Sequence, residues 1–458
     1  MSVSTLGCQA KTKNQSGHMG FPCDRYSLAT FQPRFIFTMA DSQTVPLEPI
    51  TAADGTPLKK KLAQALFRSR VRAVSLVVPL FAFVMASFVI PIIALMWQGV
   101  YNDRFSSHMP NLTEQLTMWD GLTEPNEKMY EALVADLKTA RADRTIGRAA
   151  TRVNQESPGT RSLFTSTARK AKKLKPPFKE SVIKANKKWG NIEVWQAMKV
   201  TSQDLTPGFY ATALDGRYTV DQGFVRQDEK RQIYVKLFWR TMLISATVMG
   251  LCLLLGYPVA YLLATLPLRT SNLLMIMVLL PFWTSLLVRT TAWIAILQSQ
   301  GVINDLMVFV GITADDARFS LIYNMTGTII AMTHILLPFM ILPLYSVMKT
   351  IPPSYMRAAR SLGATPTMAF IKVYMPQTIP GIGAGGLLVF ILAIGYYITP
   401  ALVGGQDGQL ISNMIAYHMQ KSLNWSLAAA LGGILLAGVL VLYWAYDKVI
   451  GIDNMKLG

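Results

Sequence analysis

Cysteine is scarce in this chain of 458 residues. Cys8 and Cys23 fall in a polar N-terminal stretch and Cys252 in an apolar run, which supports neither a disulfide framework nor a CxxC metal or redox motif. The four histidines, His18, His108, His334 and His418, are scattered, which argues against a zinc site or a histidine-based triad. Charge is thin as well: Asp, Glu, Lys and Arg make up 15% of the residues, against about 25% in ordinary soluble domains. No GxxxxGK[ST] occurs, so this polypeptide carries no Walker A loop with which to hold ATP phosphates.

What the chain has in quantity is apolar sequence, 51% by residue type, with a mean hydropathy of only +0.32. Long apolar segments diluted by a sizeable polar part satisfy both figures. Six runs reach the roughly 20 residues that cross a bilayer: 73–100, 242–266, 273–297, 326–348, 379–403 and 427–446. One such run could be a buried core helix of a large soluble protein, but six point to an all-α polytopic membrane protein. Residues 59–72 carry Lys59, Lys60, Lys61, Arg68, Arg70 and Arg72 with no acid, a basic collar that predicts a cytoplasmic start for the first span. Six spans then return the C-terminus to the same side. Lys349, Arg357, Arg360 and Lys372 between spans four and five agree with this, as do Asp305, Asp315 and Asp316 between spans three and four.

The organisation that follows is a polar tail over 1–58, collar and first span over 59–100, an extracytoplasmic insertion over 101–236, a core of five spans over 237–450 and a short tail over 451–458. The first 38 residues lack the apolar region of a signal peptide, and Met39 is an alternative start. Within the insertion, Glu124-Pro125 with Tyr130, Leu133, Val134 and Leu137 predicts an amphipathic helix near 125–141. Residues 137–189 hold fifteen bases and three acids, so +12 of the net +18 sits there. A location outside the cytoplasm makes nucleic acid a poor partner for that charge. Anionic lipid head groups or an acidic partner fit better, and a loop with no direct part in transport remains the bland alternative.

Residues 351–376 have a clear local reading. Pro352 and Pro353 break span four, Ser354 caps a short helix with Tyr355, Ala359 and Leu362 on one face, and Gly363 ends it in the left-handed conformation. Thr365 as N-cap and Pro366 at the first position start a second helix, which Pro376 ends. Arg357-Ala358-Ala359, Gly363-Ala364, Phe370, Val373, Pro376 and Pro380-Gly381 resemble the EAA loop of the permease subunit of type I ABC importers, with Arg357 standing where that family has its acidic residue. The segments 255–262, 281–289 with Ala292-Trp293, and 399–405 resemble the spermidine/putrescine branch of that family.

The resemblance implies a six-helix permease fold and a subunit that is not itself an enzyme, in a bacterial inner membrane with both termini cytoplasmic. It also implies partners: a cytoplasmic ATPase dimer that uses the ATP, a second permease subunit, identical or homologous, and an extracytoplasmic solute-binding protein, besides membrane lipid. No cofactor is expected on this chain, and no metal. ATPase coupling would fall to Arg357, Ala358, Ala359, Gly363, Ala364, Phe370 and Pro376. With no carboxylate in the six runs, Trp283, Trp293, Tyr396 and Tyr397 offer cation–π surfaces, and Arg289 is an intramembrane charge, so these five are the candidate pathway residues. His334 is expected to pack with a satisfied ring nitrogen. Two other functions fit parts of the chain: a secondary transporter, which would show paired Gly/Pro-interrupted spans in two halves, and a sensor or scaffold whose outer loop binds ligand.

Overall fold

The computed structural model describes residues 58–220 and 223–450, without the side chains of 58–61, 64, 230, 449 and 450. The polar tail with Met39, the side chains of Lys59, Lys60 and Lys61, and the short tail at 451–458 lie outside the described residues. Two units are distinguished, divided after Pro79. The described part of the first is the N-terminal stretch of helix Leu58–Val84, in which Arg68, Arg70 and Arg72 are exposed.

Five helical stretches are long and apolar enough to cross a membrane: Ala65–Gln98, Tyr234–Thr265, Leu286–Phe309, Met325–Thr350 and Trp425–Lys448. A sixth is a pair, Pro366–Gln377 and Ile379–Gly395, bent by 59°. The expected third span, 273–297, is corrected: it straddles a break. Helix Leu268–Leu279 tightens into a 3₁₀ turn at Leu280–Trp283, Thr284 and Ser285 are extended, and a new helix runs Leu286–Leu297. Pro281 lacks the N–H that would bond one turn back, so the ladder fails there even though the sequence stays apolar. The expected fifth span likewise stops at Gly395 rather than at 403. Tyr396 and Tyr397 leave the helix, and Ile398–Val403 starts afresh with Pro400 in its first turn, where no backbone donor is needed.

Two helices contain a π-helical turn, Met85–Val89 and Phe370–Tyr374, and each is followed two residues later by a proline, Pro91 and Pro376. A proline ring clashes with the carbonyl four residues before it, here Ser87 and Lys372, and both carbonyls lie inside the wider turn. The wider turn admits Pro376, and the helix then ends one residue later at Gln377, as expected of a proline stop.

The spans Tyr234–Thr265 and Met325–Thr350 and helix Ile379–Gly395 share one core of buried side chains, including Val248, Cys252, Leu336, Met340 and Val389. Small residues permit the close approach. A Cβ on Gly381 would lie 3.1 Å from Val347 Cβ and 3.2 Å from Leu344 Cα.

The insertion builds a separate helical core. The expected amphipathic helix is Glu127–Ala142, its N-cap Asn126 accepting a bond from Met129 N–H, with Tyr130, Leu133, Val134 and Leu137 buried. They pack on Trp189 and Trp195, both fully buried. Trp189 Nε1 donates to Thr167 Oγ1 (2.8 Å), and its carbonyl accepts from Tyr130 Oη (3.0 Å) and Trp195 Nε1 (2.9 Å). Asp136 is buried beside this core, where desolvation pushes its carboxyl above the ordinary value although Leu112 N–H and Asn111 Nδ2 donate to it. Lys172, Lys173 and Lys175 are exposed, as expected of a solvated basic segment. One element escaped the all-α expectation, a short antiparallel hairpin of Gly216–Thr219 and Gly223–Arg226.

The insertion is fastened to the spans. Asp215 is buried with φ +57°, and its carboxylate accepts from the N–H groups of Ile233 (3.0 Å), Tyr234 (2.9 Å) and Val235 (2.8 Å), the first residues of the second span. Asn102 Nδ2 donates to Ser426 Oγ (2.9 Å) at the start of the last span, and Tyr234 Oη lies 3.0 Å from His418 Nε2.

Candidate functional site

Helix Pro353–Ser361 begins with Pro352 as N-cap and Pro353 at its first position; Ser354 lies inside the first turn and does not cap it. Two fixed proline φ angles start the helix without a side-chain acceptor. Its end follows expectation: Gly363 has φ +89°, its N–H donates to Arg360 O (3.0 Å), and Ala364 N–H reaches Ala359 O (3.1 Å), the two bonds of a Schellman turn. Thr365 then accepts from Met368 N–H (3.3 Å) and Pro366 opens the second helix.

Met356 of the first helix is half-buried against the core of the spans, but its apolar neighbours are not core. Leu362 is 88% exposed and Tyr355 50%, with Arg357 and Ala358 exposed beside them and Ala359 half-buried. The second helix is anchored to the bundle by aromatic rings. Phe370 meets Tyr261 edge-on at 5.3 Å and Tyr257 at 6.2 Å and stacks on Tyr374 at 5.6 Å, while Tyr261 meets Tyr374 at 5.3 Å. Tyr257 Oη and Thr378 Oγ1 are 3.2 Å apart. Sequence reasoning found Phe370 but not its partners. The signal was there in two i, i+4 aromatic pairs, Tyr257 with Tyr261 and Phe370 with Tyr374, one on each of two helices that meet. Between the element and the span ends lies a cleft of about 870 Å³ that Lys349, Arg357 and Arg360 line with Phe370 and Tyr374.

The five candidate pathway residues divide. Trp293 contacts His334, and Arg289 lies near both His334 and Tyr396, which links three of the five. Trp293 Nε1 donates to His334 Nδ1 (3.1 Å) with the rings edge-on at 5.3 Å. The expected satisfied nitrogen is therefore present, but His334 itself is exposed. The Arg289 charge is close enough to act on both His334 and Tyr396, and its Nε is buried without a hydrogen-bond partner among the described residues. Thr290 Oγ1 and Thr399 Oγ1, 3.2 Å apart, tie the two restarted helices to each other. Trp283 stands apart, 74% exposed, and Tyr397 lines a different hollow with Asn413 and Tyr417. No cluster of three or more His, Cys, Asp or Glu side chains suited to a metal occurs among the described residues.

Residues 253–450 match the family described as binding-protein-dependent transport system inner membrane component. Over 202 residues the chain is 35% identical to the spermidine/putrescine transport system permease protein PotB of Escherichia coli (strain K12), covering 43% of this chain and 73% of that protein. It is 33% identical over 221 residues to the protein of that name in Haemophilus influenzae, covering 48% and 77%. A third relative, the inner membrane ABC transporter permease protein YdcU of Escherichia coli, is 32% identical over 223 residues, covering 46% and 70%. Among solved structures the chain is similar, with a TM-score of 0.40 and 17% identity over 54% of its length and 88% of the other's, to a chain of a bacterial ABC transporter that imports alginate, a likeness too loose to add to the assignment. On the strength of these relatives and of the spans they cover, the chain belongs to the family of inner-membrane permease components of binding-protein-dependent ABC transport systems.

Proposed function

We propose that this chain is the membrane-spanning subunit of an ATP-driven importer of spermidine, putrescine or a related small solute. The observation that carries the reading is the element at 353–377: an exposed apolar and basic helix, held by a Schellman turn to a second helix whose Phe370 is locked among aromatics of the second span. A surface that leaves Leu362 and Tyr355 bare calls for a partner. A cytoplasmic ATPase dimer fits that role and would hold the ATP, since this sequence has no Walker A loop. The element is then cytoplasmic, both termini share its side, and the insertion lies outside. Solute delivered by an extracytoplasmic binding protein passes at an interface with a second permease subunit. Names borne by the relatives support the polyamine choice, and the face of Trp293 offers a cation–π surface on the way.

Arg357, Ala358, Ala359, Gly363 and Ala364 form the docking side of the element, Phe370 anchors it, and Pro376 with the preceding π-turn sets its angle. Closure of the ATPase dimer would move this element and, through Phe370, the second span. The test is uptake of labelled spermidine and putrescine by proteoliposomes holding the chain with its ATPase, second permease and binding protein. Gly363→Pro cannot adopt φ +89° and loses the bond to Arg360 O, so uptake should be abolished. Undiminished uptake by that variant would refute the coupling role.

A further inference from the structure

A cleft of about 800 Å³ opens where the insertion meets the first turns of the second and last spans, with Tyr234 and Leu427 in its lining. Four arginines converge on it from separate pieces of chain. Arg161 comes from helix Thr160–Lys170, Arg217 and Arg226 from the two hairpin strands, and Arg231 from the turn ahead of Tyr234. All four are exposed, and none forms an ion pair or side-chain hydrogen bond among the described residues. Among the described residues two carboxylates share the lining. Glu156 is engaged by the buried Arg152 at 2.9 Å, which leaves Asp228 to oppose four guanidinium groups.

Like charges are not gathered on one concave surface without cost, and a structural role would have paired them. Guanidinium forks match planar carboxylates two bonds at a time. Lining side chains such as Asn154, Gln155, Thr212, Thr219 and Gln227 supply further hydrogen-bonding groups for a polar surface segment. All four arginines lie outside the segment matched by the family, at 253–450, so the charge of the cleft is a feature of this chain's insertion even though His418 and Leu427 of that segment share the lining.

We infer that this arginine-lined cleft is a recognition site for a carboxylate-rich surface segment of the solute-binding protein. The inference rests on the importer reading. Docking there places the delivering protein over the ends of the second and last spans, and it gives part of the insertion's positive charge a purpose.

The test uses the full chain with its partner subunits in nanodiscs of neutral phosphatidylcholine, and measures the affinity of the system's purified solute-binding protein. Arg217→Gln combined with Arg226→Gln should weaken binding about tenfold, as expected for the loss of two exposed but well-oriented pairs, and flatten its dependence on salt. Arg161→Gln, which lies on a helix and not on the hairpin, should weaken it severalfold and guards against a misfolded hairpin. A hexaglutamate peptide should compete where hexalysine does not, and Lys175→Gln, an equal charge change outside the cleft, should leave affinity at the parent value. Affinity within twofold of the parent in both arginine variants overturns the inference, as does a loss seen only when phosphatidylglycerol is added, which would assign the cleft to lipid phosphate. If both variants bind and transport like the parent, only the cleft assignment fails. If no solute-binding protein binds the parent or drives its uptake, the importer reading itself fails.

Discussion

Replacing Phe370 by alanine removes the ring that meets both Tyr257 and Tyr261 of the second span, leaving Tyr374 on Tyr261 as the remaining aromatic contact. Full truncation of a buried Phe costs about 3–5 kcal/mol, and Phe370 is half-buried, so about 2 kcal/mol is lost from apolar contact alone. The ring pairs with Tyr261 at 5.3 Å and Tyr374 at 5.6 Å add about 0.5–1.5 kcal/mol together. The sum, about 3 kcal/mol, corresponds to a shift on the order of a hundredfold toward an element no longer held against the span. Solute uptake in proteoliposomes containing the partner subunits should fall at least tenfold. Phe370→Leu keeps most of the apolar volume but not the ring geometry and should fall between alanine and the parent, whereas Phe370→Tyr should stay near the parent. The control is a monodisperse, membrane-inserted variant. Uptake by Phe370→Ala within twofold of the parent would refute the claim that this ring transmits movement.

Two further outcomes follow from named contacts. Asp215→Ala leaves three N–H groups at the head of the second span without their carboxylate and places alanine at φ +57°, so thermal unfolding of the purified chain should reveal a loss of about 2–3 kcal/mol; Asp215→Asn, which tolerates that conformation and keeps one acceptor, should lose about half as much. Trp293→Phe keeps an aromatic face and deletes the donor to His334 Nδ1, a bond worth about 1 kcal/mol, so the KM for uptake should change severalfold. Parent kinetics in that variant would remove the Trp293–His334 pair from the solute path.

The sequence was most legible where one residue decides one backbone state. Gly363 at φ +89°, Thr365 accepting from Met368 and Pro366 opening a helix were all foreseen, because each follows from the dihedral range or donor count of a single residue. The apolar runs were equally plain, but their continuity was not. A window of apolar residues such as 273–297 records side-chain polarity and says nothing of the extended Thr284 and Ser285 inside it. The same blindness joined Ile379–Gly395 to Ile398–Val403 across Tyr396 and Tyr397. Pro376 marks the end of its helix to within one residue, but nothing in the local sequence announces the π-turn at Phe370–Tyr374 that receives its ring. Tertiary facts lay further off. Nothing local marks Asp215 as different from the other five acids of residues 190–236, which six bases balance, and its role exists only once Ile233–Val235 is folded against it.

The second span links the two ends of the molecule described above. Its 32 residues run about 48 Å at 1.5 Å per residue, from Tyr234 to Thr265. The Asp215 carboxylate holds one end, and Tyr257 and Tyr261 meet Phe370 near the other. Gly256 keeps the helix tight against Met340 and Ile341. Under the proposed coupling, a displacement at Phe370 would reach, along one helix, a cap that belongs to the insertion. A loop without mechanical consequence would hang from the spans by unbonded linkers. This one instead closes on the second span through three bonds of 2.8–3.0 Å and on the last through Asn102 and Ser426, so a displacement of the second span would have to break these bonds or carry the insertion with it.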